Sequence, residues 1–442
     1  MSTNNLSVVL GLGQTGLSVV AYLASEGEPC VVFDEAQMPP YLSEIKAKFP
    51  QIPVHLGPFK QTSVENIKQI IVSPGIDLNN PWIEKAQAQG IPVLGDIELF
   101  ARINHVPLVG ITGTNGKSTV TALLGAMAER SGIRVAVCGN IGKPVLDCLH
   151  PKPDLYVIEL SSFQLDTTKK LPLKAATVLN LSEDHLNRYP NYAAYIASKQ
   201  KIYDNCTWPV VYKEDPNTYP KDGRACTSFS QFEPEATEWG LRLQAGKTYL
   251  AQGAHCVLSV ALLKMVGRHN WLNALAALAL GEALGFELKV MLEALQDFEG
   301  LPHRCRFVRE VDGVRWYNDS KGTNVGATIA AIKGLGGTML GKIVLIAGGQ
   351  SKGAHFEDLK EPVGEYVRTV VLMGEDAGKI ADALVDLVPV LYADSLEEAV
   401  LVAKRAACPG DVVLMSPACA SFDMFSNFKH RGEVFTERVE GL

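Results

Sequence analysis

The chain lacks most of the features that mark a specialised class of protein. Its nine cysteines are scattered from Cys30 to Cys419, an odd count with no CxxC pair. That pattern excludes a disulfide framework and a zinc site of paired cysteines, and it fits a reducing cytoplasm. No apolar run approaches the ~20 residues that span a bilayer. The richest run, 273–280, stops at Gly281-Glu282 and reads as a buried helix. No basic segment precedes the first apolar run, 6–10, so a strand and not a signal peptide is expected there. Positive charge is not in excess: the formal net charge is -7, which argues against non-specific nucleic-acid binding but leaves room for a local basic pocket. What remains is 47% hydrophobic and 20% charged over 442 residues, the composition of a globular protein with ample core. A cytoplasmic chain of about three domains, with no membrane or nucleic-acid partner, is the expectation.

Residues 6 to about 100 alternate short β-rich runs (7–10, 30–33, 70–72, 91–94) with helical stretches, the first over 15–25. A second unit starts near Pro107, with strands over 108–111, 134–137, 155–158 and 176–179 and closing helices over 270–284 and 288–298. Within it, 205–265 mixes short β-like runs with Pro and Gly and reads as a β-rich insertion to which the sequence assigns no role. A third unit begins near Gly300, with strands over 314–317, 343–346, 369–372, 390–392 and 412–415. This rhythm predicts an α/β protein of three domains: a Rossmann-like domain over 1–100, a central P-loop domain over 101–299 and a second Rossmann-like domain over 300–442.

Two glycine loops of the phosphate-cradling kind stand about a hundred residues apart. The first, Gly11-Leu-Gly13-Gln14-Thr15-Gly16, follows a strand, opens a helix and is trailed by Asp34 at the end of the next strand. Gly11 permits the tight turn, Gly13 lets the backbone approach a pyrophosphate, and Gly16 allows close helix–sheet packing. The helix N-terminus then offers N–H groups to the anion. Such a loop reads a pyrophosphate and not a base. NAD(P) or FAD, another nucleotide diphosphate such as a UDP derivative, and a plain structural turn all stay open on this evidence.

The second loop is Gly113-Thr114-Asn115-Gly116-Lys117-Ser118-Thr119, at a strand-to-helix junction. Its backbone N–H groups would cradle the β- and γ-phosphates, Lys117 would neutralise the γ-phosphoryl oxygens and Ser118 would ligate Mg²⁺. The generic P-loop has glycine five positions before Gly116, where this chain has Ile111. Glu159 ends the apolar run 155–158 and is suited to hold Mg²⁺, although spacing alone also fits an ordinary strand-end carboxylate. His185 reads as a ligand, a phosphate contact or a structural histidine. Lys199, judged only from its helical setting over 193–203, is a solvated lysine. A chain with both loops is expected to hold two phosphorylated ligands and to join chemistry between them.

The second loop resembles the ATP loop of the Mur ligase superfamily. Glu159-Leu-Ser-Ser-Phe-Gln164, Asn180-Leu-Ser-Glu-Asp-His185, His269-Asn270 with Asn273, Leu301-Pro-His303-Arg304 and Asn318-Asp-Ser-Lys321 resemble that superfamily's signatures, in the same order. Ser73-Pro74-Gly75, Gly95-Asp-Ile-Glu-Leu-Phe100 and Ser416-Pro-Ala-Cys-Ala-Ser421-Phe-Asp resemble its D-glutamate-adding branch. The resemblance spans nearly the whole chain. It implies an ATP-dependent ligase of peptidoglycan precursor synthesis that activates UDP-N-acetylmuramoyl-L-alanine as an acyl phosphate and joins it to D-glutamate. The UDP part would then meet Gly11, Gly13, Gln14, Thr15 and Gly16, with Asp34, Ser73, Pro74 and Gly75 at the uridine end and Asn140 near the muramoyl group. The same resemblance assigns ATP to Gly113, Thr114, Asn115, Gly116, Lys117, Ser118, Thr119, Asn273, His303, Arg304 and Asp319.

Lys117, Glu159, His185 and Lys199 would form the catalytic centre. The resemblance implies two Mg²⁺ ions held through Ser118, Glu159, His185 and a Lys199 carbamylated by CO₂. D-Glutamate would meet Thr323, Lys352, Ser421 and Phe428. Here Gly348-Gly-Gln350-Ser-Lys352 departs from the superfamily's Gly-Gly-Asp-x-Lys but keeps the lysine. A monomer is expected. The competing readings are a relative adding L-alanine, a diamino acid or a dipeptide, a folylpolyglutamate synthase, a pyridine-nucleotide oxidoreductase, and a nucleotide-binding regulator without catalysis.

Overall fold

The structure, a computed structural model, describes residues 6–58, 66–186, 188–265, 267–337, 341–351 and 353–442. Its first sheet contains β1 (Leu6–Leu10), β2 (Cys30–Asp34), β3 (Val54–Leu56), β4 (Ile67–Val72) and β5 (Val93–Leu94), all parallel, in the order β3-β2-β1-β4-β5. Runs such as Val8-Val9-Leu10 are buried along their whole length, as strands covered on both faces must be. The chain winds outward from β1 to β3, then returns to the far side of β1. That reversal opens a crevice beyond the C-terminal ends of β1 and β4, where ligands of such sheets bind.

The second sheet contains β6 (Leu108–Thr112), β7 (Val135–Gly139), β8 (Leu155–Glu159), β9 (Leu173–Val178), β10 (Cys206–Tyr212), β11 (Thr227–Phe229), β12 (Trp239–Gln244), β13 (Lys247–Gln252) and β14 (His255–Ser259). Their order is β14-β13-β12-β11-β10-β9-β6-β8-β7. Pairings from β7 to β12 are parallel, and β12, β13 and β14 form an antiparallel meander. The stretch 205–265 is therefore β-rich as expected, but it widens the central sheet instead of standing apart from it. Buried Trp239 fastens it there, donating from Nε1 to Glu282 on helix Arg268–Leu284 at 2.8 Å.

The third sheet contains β15 (Arg306–Val311), β16 (Val314–Asn318), β17 (Ile343–Gly348), β18 (Val367–Met373), β19 (Val390–Tyr392) and β20 (Val412–Met415), in the order β15-β16-β20-β17-β18-β19. Only β15 runs antiparallel to its neighbour. The α/β class and the three-lobed plan read from the sequence both hold. One apolar core joins the first two lobes, with Val9, Leu12 and Leu94 packed in the same cluster as Leu108, Tyr156 and Leu173. The third lobe buries its own clusters on the two faces of its sheet, from Cys305 onward. It meets the central lobe where helix Val325–Gly336 packs on helix Arg268–Leu284, and beside that contact a cavity opens at the second glycine loop.

Candidate active site

At the end of β1 the chain turns at Gly11 with φ +91°, a backbone that glycine adopts without strain. Gly16 faces that turn so closely that a Cβ on it would lie 1.9 Å from the Gly11 carbonyl oxygen. Around Gly13 there is open space instead, and no side chain caps the helix Gln14–Ser25 that it begins. An uncapped helix start beside an open glycine has the form of an anion site. Asp34 accepts from the Leu12 N–H at 2.6 Å and from the Ala36 N–H at 2.9 Å, so its carboxylate pins the glycine loop. Ser73 closes the opposite wall, its Oγ donating to the Gly11 carbonyl at 3.2 Å. Pro74 and Gly75 continue this turn. Thr15 lies half-buried in the first turn of the helix.

The loop after β7 leans on that helix. Gln14 Nε2 reaches the Gly142 carbonyl at 3.5 Å, and Ser18 donates to Asp147 at 2.6 Å. Asn140 in the same loop donates from Nδ2 to Glu159 Oε1 at 2.7 Å. It therefore stands between the first glycine loop and the end of β8. The second oxygen of buried Glu159 has no hydrogen-bond partner among the described residues.

The second glycine loop is held from several sides. Gly113 (φ +144°) and Gly116 (φ +83°) supply the left-handed turns. The Asn273 amide presses against Gly116, where a Cβ would lie 2.4 Å from Asn273 Oδ1. Asn180 clamps Asn115, accepting from its N–H at 2.9 Å and donating to its carbonyl at 3.0 Å. Thr114 Oγ1 donates to the Ser182 carbonyl at 3.2 Å. Lys117 Nζ folds back on its own loop, donating to the carbonyls of Gly113 at 2.9 Å and Thr114 at 2.8 Å.

Lys199 is the largest departure from its helical reading. It is 2% exposed, on helix Tyr192–Gln200, and donates to the same Gly113 carbonyl at 2.9 Å and to Thr112 Oγ1 at 3.2 Å. Burial first, and then the charge of Lys117, hold its pKa well below the ordinary lysine value; burial also lowers that of Lys117. A neutral amine is the form that adds CO₂. His185 sits at φ +56° with its ring edge-on to Phe163 at 5.0 Å and Nε2 3.7 Å from Asp184.

From the third lobe, Arg304 reaches across and donates to Ser118 Oγ at 2.7 Å. Beside it opens a cavity of about 330 Å³ lined by Asn115, Gly116, Thr119, Asn273, Arg304 and Asp319, among others. That volume lies in the range of small-molecule sites. Buried Asp319 accepts from the Cys305 N–H at 3.0 Å and from Ser416 Oγ at 2.7 Å, yet burial pushes its pKa up to about 7. His303 is not brought into this cavity. Its ring packs on Gly432 and lines a separate cleft with Arg306, Asn318 and Glu433.

Three of the residues expected around the amino acid gather in the third lobe. Thr323 follows Gly322, whose carbonyl accepts from the Ala418 N–H at 2.9 Å, so its loop meets 416–421. Ser421 is buried. Phe428 opens the helix Phe428–Glu440 beneath the Lys321 ammonium, 4.0 Å from the ring centre. Buried Arg431 ties these segments together, donating to the carbonyls of Ser320 at 2.9 Å and Cys419 at 3.1 Å. Gln350 pairs with Ala420 through both backbone groups, at 3.0 and 2.9 Å. Lys352 lies outside the described residues. Sequence reasoning missed Arg188, whose guanidinium donates to the carbonyls of Gly75 at 3.0 Å and Ile76 at 2.8 Å. Its one signal was its place three residues after His185.

Fold and site together define a three-lobed α/β protein with a glycine loop in each of its first two lobes and a cavity at the second. Comparison with known proteins narrows the class. The chain matches the models for the Mur ligase MurD-like N-terminal domain over residues 5–95, the Mur ligase middle domain over 111–281 and the Mur ligase glutamate ligase domain over 303–419. It is 51% identical to the UDP-N-acetylmuramoylalanine--D-glutamate ligase of Legionella pneumophila (strain Paris), over 99% of this chain and 100% of that protein. With the enzyme of the same name from Pseudomonas fluorescens the identity is 47%, over 100% of this chain and 99% of the other. Among solved structures it shares the fold of a UDP-N-acetylmuramate-alanine ligase from Thermotoga maritima, with a TM-score of 0.63, 20% identity, and coverage of 98% of this chain and 99% of that one. The chain belongs to the Mur ligase family.

Proposed function

We propose that this chain joins D-glutamate to UDP-N-acetylmuramoyl-L-alanine at the cost of ATP, as a monomer in the cytoplasm. The names of the full-length relatives support the substrates. One observation carries the two-ligand chemistry: Asn140 bonds Glu159 at the ATP side while its loop leans on the helix that starts at the first glycine loop. No helix among the described residues is long and apolar enough to cross a membrane.

In this reading the UDP part lies against Gly11, Gly13, Gln14, Thr15 and Gly16, near Asp34, Ser73, Pro74 and Gly75. Its alanyl carboxylate then lies by Asn140. ATP takes the 113–119 loop and the cavity beside Asn273, Arg304 and Asp319. A carboxylate oxygen attacks the γ-phosphorus, the bond to the β-bridging oxygen breaks, and ADP leaves. The anions repel one another, and Lys117 and Arg304 offset that repulsion where charge builds up. The neutral amine of D-glutamate, held near Thr323, Ser421 and Phe428, attacks the acyl phosphate carbonyl, and phosphate departs. A water beside His185 takes the amine proton. Closure of the third lobe keeps water from the acyl phosphate.

The residues fit Mg²⁺. No three His, Cys, Asp or Glu side chains gather among the described residues. A Mg²⁺ held by one or two carboxylates with phosphate oxygens and waters needs no such gathering. The unpartnered oxygen of Glu159 and the hydroxyl of Ser118 would hold one ion, and His185 with a carbamylated Lys199 a second. The ions would supply neutralisation of the phosphates.

The test follows inorganic phosphate and amide in the presence of ATP, Mg²⁺, UDP-N-acetylmuramoyl-L-alanine and either enantiomer of glutamate. One phosphate per amide, with the D enantiomer only, is expected. Amide formed without ATP cleavage, or no reaction with D-glutamate, overturns the proposal.

A further inference from the structure

The two glycine loops lie on different lobes, and the reaction needs both occupied at once. Arg188 is built to relay one to the other. Its backbone N–H donates to the His185 carbonyl at 2.8 Å, so its position and that of His185 are set by one turn. Its guanidinium crosses to the first lobe and grips two successive carbonyls, Gly75 at 3.0 Å and Ile76 at 2.8 Å. The flat face of the same group lies 4.7 Å from the centre of the Phe163 ring, and Phe163 meets the His185 ring edge-on at 5.0 Å.

The gripped turn is itself tied to the first glycine loop. The Ile76 N–H donates to the Ser73 carbonyl at 3.0 Å, and Ser73 Oγ donates to the Gly11 carbonyl at 3.2 Å. An unbroken run of contacts thus leads from Gly11 through Ser73 and Ile76 to Arg188, then to Phe163 and His185. Arginine suits the middle of it because its rigid guanidinium fork can serve two carbonyls and lie over a ring at the same time, with the donors fixed relative to one another.

We propose that Arg188 is a positioning residue that couples filling of the first-lobe crevice to ordering of the His185 loop. The inference rests on the ligands named in the proposed function. A ligand that fixes the 11–16 loop and the 73–76 turn holds the guanidinium in place, and with it the segment 182–185, whose Ser182 exchanges hydrogen bonds with Thr114 of the second glycine loop at 3.2 and 3.1 Å. The second ligand then has less disorder left to remove, which is positive coupling between two binding events.

The experiment measures the Kd of a non-hydrolysable ATP analogue with Mg²⁺ on the full chain, with and without saturating UDP-N-acetylmuramoyl-L-alanine. The wild type is expected to tighten by about 10-fold, within the usual span of such couplings. In Arg188→Ala and in Arg188→Met the factor should fall to within about two-fold of unity, with the Kd of the analogue alone unchanged. Should Arg188→Ala not fold, as judged by circular dichroism, the methionine variant decides. Full coupling retained in the decisive variant, or no coupling in the wild type that binds both ligands, overturns the inference. A wild type that does not bind the uridine compound at all overturns the proposed function, and this inference falls with it.

Discussion

Replacing Asp319 by asparagine should make the protein more stable and a worse enzyme. Burial is the main cause that raises this carboxyl from 3.8 to about 7, with Ser416 and the Cys305 N–H offsetting it only in part. A carboxyl whose folded pKa exceeds its unfolded one contributes stability below pH ~4 that is lost as pH rises through the folded value. The rise from 3.8 to about 7 corresponds to a ceiling of about 4 kcal/mol at ~1.4 kcal/mol per pH unit. Asparagine keeps the shape and removes the charge. Its oxygen can still accept from the Cys305 N–H, and its amide can donate to Ser416, whose hydroxyl has a second acceptor in Thr328 Oγ1 at 3.0 Å. The variant should therefore match the wild type near pH 4 and exceed it increasingly up to pH 8, by about 2–4 kcal/mol. Denaturant unfolding at several pH values reads this directly, while KM for ATP should rise as the cavity loses its carboxylate. A stability difference that does not change between pH 4 and pH 8 would refute the burial argument.

Two other expectations concern the loops. Gly16→Ala would set a Cβ 1.9 Å from the Gly11 carbonyl, so helix and turn must part. KM for the UDP substrate should then rise at least about 10-fold, in line with the usual cost of overpacking, while KM for ATP stays put; an unaltered UDP-substrate KM would sink the role given to this turn. Labelled with ¹³C-bicarbonate, the protein should show a carbamate resonance near pH 8 that weakens with acid, as Lys199 becomes protonated, and that is missing from Lys199→Ala. The variant should lose about 100-fold or more in turnover, and an identical resonance in it would exclude Lys199 as the carbamylated group.

How far the sequence was legible depended on how local the signal was. β19 and β20 fall on the residues expected, because β-branched runs bounded by turns read as strand without knowledge of neighbours. β15 was not foreseen: Arg306-Phe-Val-Arg-Glu-Val311 is an edge strand with charged, exposed positions, and only its pairing with β16 defines it. The 205–265 stretch was read as β-rich but not as part of the central sheet, since Pro209 and Gly240 break its pattern and its strands are joined by tertiary pairing. Lys117 and Glu159 were legible as strand-end and loop residues. The burial of Lys199 was not, because the helix YAAYIASKQ has no clean polar face to say which side meets the 113–119 loop. His303 shows what a motif leaves out: the resemblance places it with ATP, while in the structure its ring packs on Gly432 and lines a neighbouring cleft.

The shared Gly113 carbonyl changes how the two lysines are to be understood. Lys117 and Lys199 both donate to it at 2.9 Å, in a site where burial disfavours either charge. Glu159 offsets part of the burial that lowers the pKa of Lys117, while burial first and the charge of Lys117 second push that of Lys199 further down. On the proposed mechanism, the reactivity of Lys199 toward CO₂ is thus partly a property of Lys117. Removing Lys117 would take away the phosphate ligand of the proposed mechanism and also let Lys199 hold its proton more tightly, so the damage from one substitution would include part of the role proposed for the other residue. Effects of the two single substitutions will therefore not add, and their double-mutant cycle measures the coupling between the two residues.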